Sequence, residues 1–548
     1  MQDKQFHTPH GAINVVIEPR HLPSTPQESV LGSIYTMCLN SVLEKELYGV
    51  EMGGMKYSID TGGLSVNIAL DGFKEKLSLL LDNIMHRIVN FELKREDYEL
   101  YRQELERGFS HLHYSTALVN ILRYQTLLDY SPAYHYKVEE NALHNNVTFE
   151  KTQEYIEGLF KQTFVQMMVS GQFTEADALD MGDQVIQTIN STHLEPDQVH
   201  TVQSVNLSPG SYAYSFTIPD EDEVNSGTIS TIYCGKGSDL DETAALMIII
   251  PILQSRFFEE LRTKEQLGYE VGADLYGSKV GRMSLEFVVQ GEQNPLFVKL
   301  RIDSFIDGFR ESLEKLSESD IQDKISALAK SILEKNKSIA EDAKEGWGAI
   351  ASGWYDFNAK HKLVERLRMV TKEDVLSAWD KHVNPETATK NYTRVDYYAW
   401  SQKAWIPQRE DLASHSESVV ALNGCLQRDG IVNGTLGEIA DAVAALASGA
   451  DVSGHNQDSV HGRVISLYRD ASSTLKSKAA LDMAVDQAKK DAKLTDVRYK
   501  SLNDYSETDM LRTPDGAWII GNVDTFKSAH SLNPLPEPVV ELVPKYSD

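Results

Sequence analysis

The spacing of apolar and polar side chains predicts a chain in which strands are followed by helices. Strand-like segments alternate apolar with polar residues, so that one face is buried and the other is not. Four such segments occur: Leu64–Ala69, Tyr212–Ile218, Thr228–Tyr233 and Met283–Val288. The second and third are also rich in aromatic and β-branched residues, which strands favour. We therefore predict strands at these four places.

Helices are predicted directly after two of these strands, at Leu77–Ile88 and Phe297–Leu316. One apolar face of the second helix is formed by residues at helical spacing, namely Phe305, Phe309, Leu313 and Leu316. The longest apolar run, Ala244–Leu253, has ten residues with Pro251 inside it. It is too short to cross a bilayer, and we predict that it is a buried helix.

The strand-then-helix order occurs twice in the chain, which indicates a duplicated domain. Gly49–Gly54 aligns with Gly268–Ala273, an offset of 219 positions (Gly49 to Gly268), and Leu64–Ala69 falls on Met283–Val288 at the same offset. This separation is far longer than the period of a solenoid repeat. The sequence therefore predicts two homologous α+β units, each a sheet with helices packed on one side.

About a hundred residues between positions 410 and 515 do not fit either unit. Leu436–Ala447 and Ser472–Ala492 are rich in Ala, Lys and Asp, and their Ala and Lys favour helix. Gly449, Gly454 and the polar residues after them are typical of a linker. We interpret 410–515 as an insertion that is partly helical or disordered, and we favour a surface insertion or a disordered loop over a functional module.

Composition and charge exclude several classes of protein. The chain has 548 residues with 41% hydrophobic and 24% charged content, typical of a globular protein of two to four domains. Its net charge of −28 opposes non-specific nucleic-acid binding, which requires a basic surface. The first residues show no apolar signal segment. We expect neither a nucleic-acid partner nor a membrane partner.

Three cysteines, Cys38, Cys234 and Cys425, are spread too far apart to indicate a disulfide framework or a zinc ribbon. This usage fits a reducing compartment, and we predict a cytoplasmic location.

The 16 histidines include no H-x-x-E-H or H-E-x-x-H motif. Four residues, His135, Glu139, Glu140 and His144, could be proposed as metal ligands, because the last two would share a helix face. A solvated helix face is the better interpretation, since no third ligand with zinc-like spacing is evident. His111 and His113 would point to different faces of a helix. We therefore predict no metal site in this chain.

The segment from Leu261 through Arg262-Thr-Lys-Glu-Gln-Leu-Gly-Tyr269 resembles the substrate-gripping segment of pitrilysin-type (M16) zinc metallopeptidases, most closely those like insulin-degrading enzyme. In that family the matching Arg and Tyr lie in the C-terminal half and reach towards a zinc motif in the N-terminal half. A guanidinium and a phenol can both donate to the oxyanion that forms when zinc-bound water attacks a peptide. The resemblance thus implies that Arg262 and Tyr269 bind substrate and stabilise the transition state.

The resemblance extends over nearly the whole chain. Residues 6–200 resemble the third domain of these enzymes, which has a structural role, and residues 205–404 resemble the fourth. Residues 516–548 resemble the closing strand and Pro-rich tail, which return to the second unit. It implies two LuxS/MPP-like units with mainly antiparallel sheets. In the first unit Leu43 and Val50 align with Arg262 and Tyr269, so the donors are expected in one copy only.

The resemblance without the zinc motif implies the non-zinc half of a split M16 metallopeptidase. Zinc is expected in a partner chain that carries H-x-x-E-H, in a heterodimer that takes a peptide or peptide-like substrate, and this chain alone is not expected to hydrolyse peptides. Two alternatives stay open: a non-catalytic peptide-binding or assembly scaffold, and a heterodimeric enzyme that modifies a peptide-like small molecule. The chain is also expected to be either an independent subunit or a fragment of a longer polypeptide.

Overall fold

The computed structural model describes residues 3, 5–20, 25–60, 65–195, 198–199, 201–277, 282–384, 387–388, 392–402, 417–432, 434–449, 456, 458–470, 476–491 and 517–534. The first unit contains, in chain order, β1 (His10–Pro19), α1 (Pro26–Met52), β2 (Lys56–Asp60), β3 (Val66–Phe73), α2 (Lys74–Val89), α3 (Arg95–Leu112), α4 (Ala117–Asp129), β4 (Tyr130–Ser131), α5 (Tyr136–Asn145), α6 (Phe149–Leu159), β5 (Gln162–Gly171), α7 (Glu175–Ile189) and β6 (Thr192–His193).

The second unit contains β7 (Gln203–Asn206), β8 (Gly210–Thr217), β9 (Ser226–Lys236), α8 (Leu240–Phe257), a π-helical turn (Phe258–Lys264), β10 (Glu270–Gly277), β11 (Arg282–Gly291), α9 (Pro295–Glu314), α10 (Glu318–Ile332), α11 (Ile339–Ala351), α12 (Ala359–Leu367), α13 (Lys372–His382) and β12 (Thr393–Trp400). It is followed by α14 (Glu417–Arg428), α15 (Leu436–Ala447), α16 (Val460–Arg469), α17 (Lys476–Asp491), β13 (Trp518–Ile519), α18 (Val523–Ser528) and β14 (Ser531–Leu532).

The two large sheets have the same strand order, which confirms the predicted α+β fold. The first sheet runs β2-β3-β1-β5-β6 and the second runs β10-β11-β9-β12-β8-β13. Pairing is antiparallel across β2-β3-β1-β5 and across β10-β11-β9-β12. The outer pairs β5-β6, β12-β8 and β8-β13 are parallel. A small third sheet, β14-β7-β4, ties the C-terminal segment back to both units.

One of the two predicted repeat alignments matches the structure and the other is wrong. Val66, Ile68 and Leu70 of β3 face the helices, as Leu285, Phe287 and Val289 of β11 do, in agreement with the offset of 219. Gly49–Gly54, in contrast, includes the last turn of helix α1, whereas the aligned Gly268–Ala273 leads into strand β10. Similarity in a short glycine-rich stretch did not reflect equivalent structure.

The described helices of the insertion belong to the core of the second unit. Leu436–Ala447 is helical as predicted, and the prediction at Ser472–Ala492 corresponds to α17. Val420, Leu426 and Leu481 are fully buried in the cluster that also contains residues of α9. Positions 410 and 515 themselves lie outside the described residues. In its described part, the insertion is therefore a packed helical layer, and the interpretation as a surface insertion or a disordered loop was wrong there.

Each unit contributes one helix to the sheet of the other unit. Helix α4 places Ala117, Ile121 and Leu128 against the face of the second sheet that is turned away from α8 and α9. Helix α11 places Ile339 and Ala343 in one cluster with residues of β1 and β5 in the first sheet. The sequence predicted helices on one side of each sheet, and the structure adds this reciprocal cover on the other side.

Polar side chains are buried where α4 meets the second sheet. The Gln125 side-chain amide donates to a Glu286 carboxylate oxygen at 2.5 Å, and the Tyr233 hydroxyl donates to Asp129 at 2.6 Å. Asp129 also forms an ion pair with Arg282 at 2.9 Å. Burial raises the pKa of Glu286 to about 7, although the hydrogen bond from Gln125 favours the ionised form.

Helix α9 is fixed to the second sheet by buried charges. Arg394 of β12 lies 2.8 Å from Asp303 of α9 and 2.8 Å from Asp396 of its own strand. Lys299 reaches Asp303 from one helical turn away, at 3.0 Å. Burial opposes ionisation of Asp303, but Arg394 and Lys299 outweigh burial and keep its pKa below the ordinary value. The position of α9 is thus set by paired charges as well as by apolar packing.

Cys38, Cys234 and Cys425 are buried. Within the described ranges, no helix combines the length and the apolar character that crossing a membrane requires.

We predict that Glu286 makes folding stability depend on pH. Below about 4.5 the carboxyl group is protonated whether the chain is folded or unfolded, and between 4.5 and about 7 the folded chain binds the extra proton. The free energy of unfolding should therefore fall as pH rises through this range, by up to about 3 kcal/mol from this group. Urea unfolding at pH values on either side of the range measures the effect.

Glu286→Gln should remove this part of the pH dependence, because the amide cannot ionise but can still meet Gln125. Glu270→Gln on the exposed start of β10 is the matched control and should leave the pH dependence unchanged. An equal slope for wild type and Glu286→Gln would contradict the prediction.

Candidate functional site

The candidate site begins where helix α8 widens into the π-helical turn Phe258–Lys264. The backbone N–H of Glu265 donates to the Glu260 carbonyl oxygen, five residues earlier, at 3.0 Å. This spacing of five residues, in place of four, is that of a π-helix. Leu261 points into the core and is fully buried, whereas Arg262 next to it is half-buried. Single π turns are frequent at functional sites because they change which side chains face outwards.

A tight turn then connects this helix end to strand β10. The Leu267 N–H donates to the Leu261 carbonyl oxygen at 3.0 Å, and Gln266 adopts a left-handed φ of 54°. The backbone of Gly268 lies so close to β11 that a Cβ there would be 2.0 Å from the Gln290 carbonyl oxygen. Only glycine fits this approach. The Tyr269 N–H donates to the same Gln290 carbonyl at 3.1 Å and starts the β10-β11 pairing.

These local constraints bring Arg262 and Tyr269 together. The guanidinium carbon of Arg262 lies 5.3 Å from the centroid of the Tyr269 ring, a cation–π contact. The Tyr269 side chain is 81% exposed, so its hydroxyl is accessible to a ligand. Leu261 and Leu267 anchor the segment from below, with 0% and 1% exposure. The arrangement presents a phenol and a guanidinium on one surface, and their role as donors to a substrate stays a prediction.

The structure adds two residues that the sequence analysis did not single out as site residues. Glu265, inside the segment, is held by Arg301 of α9: the Arg301 Nε donates to Glu265 Oε2 at 2.6 Å, and its Nη2 contacts Oε1. Both side chains are largely buried, with 14% and 12% exposure. A charged residue on a helix with a long apolar face was the signal that could have drawn attention to Arg301.

The first unit does not repeat the site, although the predicted alignment of the two copies needs correction. Tyr57 pairs with Leu70 in the first sheet, and Val271 pairs with Val289 in the second. Because Leu70 and Val289 correspond, Met55 occupies the place of Tyr269, and not Val50, which lies in helix α1. A thioether cannot donate a hydrogen bond. Tyr269 therefore has no phenolic counterpart in the first unit.

Among the described residues, no group of three or more His, Cys, Asp or Glu side chains is placed to hold a metal ion. His135 caps helix α5 by accepting from the Lys137 N–H at 3.2 Å. Glu139 accepts a hydrogen bond from Ser29, and His144 lies 3.8 Å from Glu106. These side chains, which the sequence analysis weighed as ligands, have structural contacts of their own.

Comparison with known families places both units. Residues 1–142 match the model for the middle or third domain of peptidase M16. Residues 248–347, which include the C-terminal half of α8, the π-helical turn and the Arg262–Tyr269 segment, match the model for domain 4 of the C-terminal lobe of the PQQ synthase PqqF-like group.

Individual relatives and solved structures agree with these matches. The chain is 24% identical over 397 residues to the A-factor-processing enzyme of Saccharomyces cerevisiae, covering 71% of this chain and 38% of that protein. It is 25% identical over 380 residues to human insulin-degrading enzyme, covering 68% of this chain and 37% of that protein. The chain thus spans about two fifths of the length of these curated relatives.

The crystal structure of pitrilysin shares the fold, with a TM-score of 0.65 and 16% identity over 74% of this chain and 43% of that chain. Third-domain similarity at the start of the chain, domain-4 similarity around the candidate site and this shared fold lead to one conclusion. The chain is M16-like in both units and corresponds to the third- and fourth-domain region of the M16 peptidase fold.

Proposed function

We propose that this chain is the non-zinc half of a split M16 metallopeptidase. The carrying observation is the Arg262–Tyr269 pair at the surface, held on a tight turn, in a sequence that contains no H-x-x-E-H motif. A partner chain with that motif would bind zinc and activate water. This chain would bind the peptide and donate to the oxygen that becomes negatively charged.

The geometry of the pair suits this division of labour. The Arg262 guanidinium lies against the Tyr269 ring, so the cation is adjacent to a phenol whose hydroxyl is free to reach outwards. Two donors aimed at one oxygen favour the transition state over the ground state, because the charge on that oxygen develops only during the reaction. The backbone fixes both residues before substrate arrives, which avoids an ordering penalty at the moment of reaction.

A partner would also account for the exposure of the pair. An oxyanion donor is most effective when water is excluded around it, and Tyr269 is 81% exposed in the chain alone. The chain spans about two fifths of the length of relatives such as human insulin-degrading enzyme. Apposition of a zinc-bearing half would close the site and bring water activation within reach of the donors. We place this heterodimer in the cytoplasm, since three widely spaced cysteines fit a reducing compartment.

A second candidate function follows from the domain-4 match. The matching model describes the PQQ synthase PqqF-like group, which favours an assembled enzyme that modifies a peptide-like small molecule. The same donors would serve this reaction if it builds negative charge on a carbonyl oxygen. Mass spectrometry of the products of the assembled complex distinguishes the two, because plain hydrolysis adds only water across the peptide bond.

We predict that Tyr269→Phe lowers kcat of the assembled complex by about 10²-fold, because one oxyanion donor is removed while the ring remains. KM should change much less, since the interaction forms mainly in the transition state. The measurement is steady-state hydrolysis of a fluorogenic peptide by the purified heterodimer. Tyr276→Phe, at an exposed tyrosine of strand β10, which begins directly after Tyr269, is the matched control and should retain full turnover.

The same assay tests the guanidinium. Arg262→Ala should also lower kcat. Arg256→Ala is the control and should not, because Arg256 is an exposed arginine near the end of α8. Full turnover in both Tyr269→Phe and Arg262→Ala would refute the proposed role. If the wild-type complex binds peptide but does not cleave it, the chain is a binding scaffold and not half of an enzyme.

We also predict how zinc is distributed. The purified chain alone should bind no stoichiometric zinc and should cleave no peptide, whereas its complex with an H-x-x-E-H chain should contain about one zinc per heterodimer. Metal analysis by mass spectrometry after size-exclusion chromatography measures this ratio. A chelator should abolish turnover of the complex and leave the folding of this chain unchanged. One tightly held zinc in the single chain would overturn the proposal.

A further inference from the structure

The middle of the segment between Arg262 and Tyr269 is held by a single buried carboxylate, Glu265. The two ends of the turn are fixed by backbone bonds, from Leu267 to Leu261 and from Tyr269 to Gln290. Between them, Gln266 is in the left-handed region, which a residue other than glycine adopts only when its surroundings enforce it. The Glu265 side chain points inwards at this position and provides that restraint.

Arg301 is the partner that holds Glu265. Its Nε and Nη2 contact the two carboxylate oxygens of Glu265, so the pair is bidentate. A bidentate guanidinium fixes the orientation of a carboxylate as well as its distance, which a lysine ammonium cannot do. Helix α9, which carries Arg301, is itself anchored to the sheet through Asp303 and Arg394. The turn is therefore connected through Arg301 to a rigid part of the core.

The helices after position 417 cover this ion pair. The third nitrogen of Arg301, Nη1, contacts the thioether sulfur of Met483 on α17 at 3.0 Å. Helix α17 packs on α14, and α14 packs on α9. Arg301 is left with 12% exposure, although it is a long charged side chain. Excluding water lowers the local dielectric and strengthens the ion pair beneath the cover.

A second carboxylate, that of Glu260, lies near Arg301 and could compete with Glu265 for it. Glu260 lies 3.7 Å from Arg301 Nη2 and is 43% exposed, at the start of the π-helical turn. If water entered at Met483, Arg301 could exchange Glu265 for Glu260, and the turn would lose its central restraint. The observed arrangement favours Glu265, because the pair with Glu265 is bidentate and largely buried.

We propose that Arg301 is a positioning residue for Arg262 and Tyr269, and that α17 keeps its ion pair with Glu265 dry through Met483. The inserted helices would then serve the site directly, although they contribute no donor to it. Where it concerns turnover, this inference rests on the function proposed above. Its structural part can be measured in the full chain without any partner.

Hydrogen exchange of the full chain tests the structural part. Met483→Ser, which admits water, and Arg301→Lys, which removes the fork, should each speed exchange of the Leu267 and Tyr269 amides by about 10-fold. Met483→Leu preserves an apolar cover and should exchange like wild type. Arg310→Lys is the matched control. Arg310 lies on α9, as Arg301 does, but it forms its bidentate pair with Asp380 of α13, away from the segment.

Amides in the middle of α9 report whether a variant has loosened the whole unit. If exchange rises at Leu267 and Tyr269 but not in α9, the inference is supported. If Met483→Ser and Arg301→Lys leave the two turn amides protected, or if Arg310→Lys deprotects them equally, it is overturned.

Turnover of the assembled complex provides the second arm. Arg301→Lys should lower kcat by about 10-fold with little change in KM, since the donors are misplaced and not removed. Met483→Ser should also lower kcat, whereas Met483→Leu should keep the wild-type kcat. Normal kcat in Arg301→Lys, despite faster exchange, would overturn the positioning role. If the wild-type complex itself shows no turnover, the proposed function fails, while the exchange experiment still decides whether Arg301 holds the turn.

Discussion

The need to cover both faces of two sheets governs the rest of this structure. A sheet that packs helices on one face still has a second face, and its apolar and uncharged residues must be removed from water. Here each unit lends one helix to the other: α4 covers the second sheet and α11 covers the first. Sheet order, helix layers and the return of the C-terminal strands all build on this arrangement. The candidate site lies at the edge strand of the second sheet, β10.

At that edge, chemistry depends on backbone geometry more than on contacts of the reactive groups themselves. A π-helical turn, a left-handed Gln266 and a glycine pressed against β11 together determine where two side chains emerge. Leu261 and Leu267 are buried in the core, and their burial fixes the distance between Arg262 and Tyr269. This is an economical way to preorganise donors, since the hydroxyl and the guanidinium remain uncommitted until a ligand binds.

Much of this could be predicted from the sequence, because the relevant signals were local. Alternation gave the strands around Ile68 and Phe287, helical spacing gave α2 and α9, and a motif of nine residues indicated the site. The missing parts depend on residues that are distant in sequence. Nothing local indicates that Ile121 faces the other unit's sheet, or that Glu265 meets Arg301, 36 positions later. The Gly49–Gly54 alignment failed because helix-terminal and strand-initial glycines look alike in sequence.

The inserted helices show the same limit from another side. Ala-rich composition was sufficient to predict Leu436–Ala447, because helix propensity acts within a segment. Their burial could not be predicted, because it depends on which surface of α9 remained available to Val420 and Leu426.

The reciprocal exchange of α4 and α11 has an evolutionary consequence. Two copies of a duplicated domain can usually diverge, move apart or be recombined with other partners, provided that each retains its own core. In this chain the helix that covers the second face of each sheet belongs to the other copy. Selection must therefore act on the two as a single heritable block, and a replacement of either copy by a paralogue would succeed only if the foreign helix also fitted the resident sheet.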